Sequence, residues 1–422
     1  MGTITGVRLV DDTAISPLSA TREAGLQRLQ QFIPHAGRAY TDWRNHDFGP
    51  GGDNRVSGLS PWLRHRLIRE DEVIDAALAR HGLEGAEKFI QEVCWRTYWK
   101  GFLERRPVHW HDYGAACLEA RQQVARDKRL ARDLQQALDA GTGIDCFDAW
   151  VEELIATGYL HNHARMWFAS IWVFTLQLPW ALGADFFLRQ LLDGDPASNT
   201  LSWRWVAGLH TPGKTYLARP SNIERYTNGR FSPGQALSAE APAPEGIERP
   251  PVGPSPLPVD WQLTPRTGLL ITEDDLHPES LFGTPDWPLV VAIQATDWRS
   301  ADPVSDAVSR FAAAGLGDAL ARNGATPDRT PFTVDRGGKA GGLAEALAAA
   351  GVDRLLTPWA PTGPIADALN GLRPALAAQG VELQAVPRDW DVQHWPAATH
   401  GFFRFWKAAQ PLIRDRQAAS AS

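Results

Sequence analysis

Residues 166 to 184, nineteen consecutive positions without a charge, constrain this 422-residue chain more than any other stretch. On length alone such a run would pass as a membrane span. Its details argue against that. Pro179 interrupts it, the aromatics Trp167, Phe168, Trp172, Phe174 and Trp180 lie on all sides of it, and Arg165 and Asp185 bracket it. A helix apolar all round is also what the centre of a large soluble helical domain contains, so the run predicts a mainly helical domain and no membrane partner.

The polar residues stand at the two ends of the run. Before it, Asn162, Arg165 and Met166 fall at i, i+3 and i+4, so in a helix one face presents an amide, a fixed cation and a soft apolar group. After it come Asp193 and Asp195, then Asn199, then Trp203 and Trp205. Carboxylates beside so apolar a segment need partners, because an unpaired buried charge is costly.

Both ends resemble the flavin-binding core of the DNA photolyase and cryptochrome family, which carries an H-N-x-x-R-M helix, a long apolar helix and a D-G-D-x-x-x-N-x-x-x-W-x-W segment. Both motifs are present in order and at the family's spacing, and the resemblance covers about residues 20 to 226. It implies an all-helical FAD-binding domain. It also implies an Arg165–Asp195 ion pair against the isoalloxazine, with Asp193 and Asn162 in the same network and Asn199 facing flavin N5, where an amide can donate or accept. Trp203 matches the family's flavin-proximal tryptophan of the photoreduction chain and Trp180 the second. No tryptophan stands near residue 127, where the third is expected, which leaves Trp172, Trp167 or Tyr159 as the end of that chain.

Two further elements match. Tyr40 and Arg44 fit a Tyr-x-x-x-Arg-Asp element, with Asn45 in place of the Asp. Ser57, Leu59 and Ser60 fit the Thr-Ser-x-Leu-Ser-Pro loop that holds the FAD phosphates, with Val56 and Gly58 replacing the usual Thr and Arg. Read without the resemblance, Ser60 before Pro61 is an ordinary helix start. Glu92, Trp95 and Arg96 fit the E-x-x-W-R element, whose Glu hydrogen-bonds a flipped pyrimidine dimer and whose Trp stacks on it. By the same resemblance Trp95 and Trp205 flank the dimer and Met166 packs on it. Arg44, Arg96, His163 and Lys214 are the DNA-facing candidates. His163 stands where photolyases usually have an Arg, which costs a permanent charge at neutral pH.

The resemblance therefore implies light-driven repair of pyrimidine dimers by reduced FAD, with damaged DNA as partner. A blue-light signalling flavoprotein of cryptochrome type, without repair, is the alternative. Asn199 sides with photolyases, since plant and animal cryptochromes tend to place other residues there.

Composition narrows the rest. Eleven of eighteen tryptophans precede residue 230, and that half is charge-balanced, with 27 Lys+Arg against 27 Asp+Glu, whereas the remainder holds 15 against 22. An acidic second half is a poor polyanion binder. Cys94, Cys117 and Cys146, none in a CxxC, argue against a disulfide framework and cannot supply four thiolates for an iron–sulfur cluster. Asp11, Asp12 and the lack of a long apolar run near them do not read as a leader, so a cytoplasmic, monomeric protein is expected.

Residues 1–230 are expected to form the flavin domain and 231–285 a linker, since residues 233 to 258 contain eight prolines. Residues 286–422 are expected to form an α/β domain with strands near 289–293, 332–334, 354–357 and 381–386 and helices over 304–320, 343–350 and 365–378. Such alternation argues a parallel sheet. The glycines of 337–342 match neither the Walker nor the dinucleotide pattern. Photolyases carry an α/β domain before the flavin domain; here it follows, and residues 401–407 resemble that domain's aromatic and basic end. A permuted or substituted antenna-like domain is expected, its pigment open.

Overall fold

The computed structural model describes residues 18–247, 249–325 and 331–421; Asp11 and Asp12 lie outside them. The helical part begins with α1 (Arg22–Phe32), capped by Thr21, whose side chain accepts from Ala24 N at 3.2 Å, and α2 (Arg38–Trp43). A loop leads to α3 (Ser60–Arg64) and the long α4 (Glu70–Glu104), broken at Gly82, where φ is +66°. Then follow α5 (Val108–Arg126), α6 (Lys128–Leu138), α7 (Asp145–Thr157), α8 (Asn162–Ser170), α9 (Trp180–Gln190), α10 (Pro196–Val206) and α11 (Pro220–Tyr226).

The uncharged run is not one long helix. After α8 comes a wide π turn over Ile171–Thr175, Gln177 adopts a φ of +53°, and α9 starts after Pro179. Proline lacks the N–H and disfavours helical geometry in the residue before it, so the chain must turn there. Trp172 Nε1 closes the turn by donating to Pro179 O at 2.9 Å. Trp150, Trp167, Phe168 and Trp172 are fully buried around it. Gly183 on α9 has no room for a side chain: a Cβ there would lie 2.4 Å from Trp203 Cη2. Among the described residues no helix is long and apolar enough to cross a membrane.

The second part is β1 (Thr267–Thr272), α12 (Glu279–Phe282), β2 (Val290–Gln294), α13 (Asp306–Arg322), β3 (Phe332–Thr333), α14 (Leu343–Ala350), β4 (Arg354–Pro358), α15 (Pro364–Ala377), β5 (Glu382–Val386), α16 (Asp389–His394) and α17 (Phe402–Ala421). The five strands are parallel in the order β3-β2-β1-β4-β5, with Leu269 opposite Val290 and Gly268 opposite Leu355. The parallel sheet is as expected, but it starts at Thr267, inside the stretch expected to be linker up to residue 285. That strand is the sheet's centre and buried on both faces, so it shows no alternation; proline-rich sequence before it and Glu273-Asp274-Asp275 after it hide its apolar run.

One sheet face, with Leu269 and Ile271, joins the core of the helical part through α13. The other, with Leu270 and Leu355, packs on α14 and α15. α17 returns to lie along α4, burying Phe402, Phe405 and Trp406.

Candidate functional site

The loop between α9 and α10 brings the two carboxylates to the centre. Arg165 on α8 donates from Nη2 to Asp193 Oδ2 at 2.9 Å and from Nε to Leu160 O at 2.9 Å. The expected Arg165–Asp195 pair does not form. Asp195 is the N-cap of α10, its Oδ1 accepting from Ser198 N at 2.8 Å, which turns its side chain back along its own helix and away from α8. It faces Arg96 Nη1 at 3.6 Å and Lys100 Nζ at 3.8 Å, both on α4. Burial alone would raise both carboxyls. Lys100, Arg96 and Arg64 more than offset this at Asp195 and hold it at about 2. At Asp193, Arg165, Arg96 and the Ser60 hydroxyl do the same and keep it below the ordinary carboxylate range. Burial and the neighbouring Arg66 push the Lys100 ammonium down, with Asp195 opposing.

Asn199, also buried, donates from Nδ2 to Ala184 O at 2.7 Å, which fixes its amide plane. One turn on, Trp203 is edge-on to Phe187 at 5.1 Å and to Trp172 at 6.2 Å between ring centroids. Trp180 instead contacts Tyr113 at 6.0 Å and lies 5.8 Å from the Arg204 guanidinium. Trp205, half-buried, lies against Tyr216 at 5.5 Å.

Glu92, Trp95 and Arg96 share α4. Glu92 pairs with Arg44, so two residues expected on the lesion and on DNA meet each other. Burial raises the Glu92 carboxyl and Arg44 opposes it. Trp95 is half-buried and has Phe402 of α17 stacked on it at 3.8 Å and 9°. Tyr40 is buried edge-on to Phe32 and Phe89, and Leu59 is fully buried. His163 donates from Nδ1 to Asn45 O at 2.9 Å and stacks on Trp167 at 4.2 Å, and burial lowers its pKa, which keeps the imidazole neutral. Met166 is half-buried, while Asn162 and Lys214 are exposed.

Arg28 was not legible in the sequence. It donates from Nε to Ser57 O at 2.7 Å, and its Nη2 lies 3.5 Å from where a Cβ of Gly58 would stand. It thus puts a guanidinium beside the loop where the family carries an Arg. The two positions lie thirty residues apart with no motif joining them. Ser57 Oγ accepts from Leu59 N at 3.3 Å and shapes the same loop.

The residues present fit a flavin. Around the 193–195 loop, Asp193 Oδ1, Arg96 Nη1 and Lys100 Nζ are buried without a hydrogen-bond partner. Buried polar groups are nearly always hydrogen-bonded, and a ligand edge that alternates acceptors and donors would satisfy this set.

Buried histidines set the pH response. Burial lowers His161 and His210 to about 4 and His109 and His277 to about 3. Their stabilising contribution is therefore complete above the unfolded value of about 6.5 and is lost as pH falls towards 3 to 4. Glu153, raised to about 7 by burial, acts in the opposite sense between pH 7 and about 4.5. Burial also lowers His65, His163 and His394, and it raises Glu92, Glu104, Glu273 and Asp318 in the sense of Glu153. With seven buried histidines against five carboxyls, the urea midpoint is expected to fall below pH 6.5. A midpoint constant from pH 7 to 4.5 would contradict this.

Residues 89–229 match the family model described as the FAD binding domain of DNA photolyase. The deoxyribodipyrimidine photo-lyase of Streptomyces griseus is 34% identical over 219 residues, covering 49% of this chain and 46% of that protein. That of Thermus thermophilus is 32% identical over 195 residues, covering 46% and 44%. Among solved structures, a bacterial class III photolyase from Agrobacterium tumefaciens is 27% identical at a TM-score of 0.41, covering 49% of this chain and 43% of that one. The chain spans about half the length of the curated relatives it matches. Residues 89–229 of the helical part thus resemble the FAD binding domain of DNA photolyase. These likenesses support the DNA photolyase/cryptochrome family for this part of the chain.

Proposed function

We propose that this protein repairs pyrimidine dimers in DNA by light-driven electron transfer from reduced FAD. The observation that carries the reading is the assembly of the Arg165–Asp193 pair, the fixed Asn199 amide and the Glu92–Trp95 face around one loop and one helix. FAD, when bound, supplies light absorption and one-electron chemistry. The chain's own residues bind and orient it. Arg165 and Asp193 present a fixed cation and an acceptor, Asn199 offers a polar end of its amide, and Arg28 with Ser57 and Ser60 lines the phosphate side. A dimer extruded from the stack at a cost of a few kcal/mol would meet Trp95 and Trp205, with Met166 beneath it and Glu92 as hydrogen-bond partner once Arg44 yields. Arg96, Lys214 and the exposed Arg225 and Arg230 offer phosphate contacts.

Blue-light signalling without repair is the second reading. It is favoured by three observations: Glu92 is paired by Arg44, Trp95 is stacked by Phe402, and His163 is neutral and locked on Trp167. Loss of cyclobutane dimers from oligonucleotides under blue light separates the two readings.

The ring contacts also fix an expectation for photoreduction. From Trp203 the aromatic path runs to Trp172 and not directly to Trp180. Trp172→Phe is expected to slow photoreduction of the loaded protein as much as Trp203→Phe, at least tenfold, and Trp180→Phe less. Transient absorption reads this, and a Trp180→Phe effect larger than that of Trp172→Phe would redirect the path.

A further inference from the structure

We propose that the α/β sheet is part of the flavin site, with Asp274 as a positioning residue that holds the 193–195 loop through Arg64; the inference rests on the flavin reading above. The strand order β3-β2-β1-β4-β5 reverses direction between β1 and β4. In open parallel sheets the crevice outside the carboxyl ends of the strands at such a point is where ligands bind. Here the chain itself occupies it. Asp274 follows β1, Pro361 and Thr362 follow β4, and Lys100, Asp195, Pro196 and Ala197 lie between them around a cavity of about 10 Å³. That is at the lower limit for a single water. The approach is close: a Cβ on Gly363 would lie 3.0 Å from Pro196 Cγ.

Arg64 joins the sheet to the loop. It donates from Nη1 to Asp274 Oδ1 at 2.6 Å and from Nε to Gly194 O at 2.9 Å, with its side chain 1% exposed and that of Asp274 6%. Gly194 is the residue between the two site carboxylates. On its other side a Cβ would lie 3.3 Å from Arg299 Nη1, and Arg299 faces Glu273 at 3.7 Å. The loop is therefore held between two buried guanidiniums whose countercharges, Glu273 and Asp274, are consecutive residues at the end of β1. Without the Asp274 carboxylate, Arg64 is a buried cation short of its partner, an arrangement that is strongly disfavoured. The next carboxylate acting on it is Asp195, which lines the same cavity as Asp274, so the change is transmitted to the cap of α10 and to Asn199 one turn further on.

The test uses the full-length protein with Asp274→Ala, Asp274→Asn and, as an interface control, Trp110→Phe. Trp110 Nε1 donates to Asp367 Oδ2 at 2.8 Å between α5 and α15 and does not touch the loop. Hydrogen exchange of residues 191–199 in the FAD-free protein, FAD affinity by titration, and the visible absorption of bound oxidised flavin are measured. In Asp274→Ala the 191–199 amides are expected to exchange at least tenfold faster, FAD to bind at least tenfold more weakly and the flavin band to shift. Asp274→Asn, which keeps the shape and one acceptor, shows the same changes at smaller size in a chain that folds. Trp110→Phe leaves all three as in the wild type. Unchanged exchange over 191–199 in Asp274→Asn, or equal changes in Trp110→Phe, overturns the proposal. A wild-type chain that takes up no FAD, with the exchange effect intact, overturns the flavin reading and leaves the clamp standing.

Discussion

Arg165→Met is expected to abolish FAD binding. The substitution removes the partner of Asp193, whose side chain is 4% exposed and sits at 2.9 Å from Arg165. Removing one member of a buried pair costs about 3–5 kcal/mol, because the other charge is left uncompensated. That figure is an upper bound here, since the Arg165 side chain is itself 22% exposed. The site also loses the guanidinium proposed to face the flavin, so affinity is expected to fall by at least a hundredfold in a fluorescence titration. Stability and binding separate in the double variant Arg165→Met/Asp193→Asn. With both charges gone the urea midpoint is expected to return most of the way to the wild-type value, while FAD binding stays lost. Recovery of binding in the double variant would mean that the pair serves the fold and not the flavin.

The second large effect concerns Glu92. Glu92→Ala is expected to retain FAD and photoreduction but to lower light-driven dimer splitting at least tenfold, since a carboxyl on the dimer edge has no substitute on that face of α4. In the free protein Glu92 is the partner of Arg44, so Arg44→Ala is the informative companion. If Glu92 serves the lesion, Arg44→Ala leaves most of the splitting activity and Glu92→Ala does not. Equal loss in the two variants would make the ion pair itself the functional unit.

How much of this was legible in the sequence depends on range. The 158–205 stretch showed that its polar residues come together, because its motifs are local and its residues share neighbouring elements. Most strands and helices of the second part were also readable: the helix expected over 343–350 is α14 and the strand over 381–386 is β5, within a residue. The central strand β1 was not, since a strand buried on both faces shows no alternation and this one adjoins proline-rich chain. Pairing was the weakest level. That Arg165 meets Asp193 and not Asp195 follows from the capping role of Asp195, which depends on where α10 begins. Phe402 on Trp95, Asp274 on Arg64 and Arg28 beside Gly58 are contacts between distant segments, and no local pattern announces them.

Repair is read most directly by exposing the purified, FAD-loaded and chemically reduced protein to cyclobutane-dimer oligonucleotides, single- and double-stranded, in blue light and in darkness. Splitting is expected in light only, with Glu92→Ala deficient. A protein that holds FAD and photoreduces yet splits no dimer in either substrate would contradict repair, and the Arg44–Glu92 and Phe402–Trp95 contacts would then stand as the closed face of a photoreceptor.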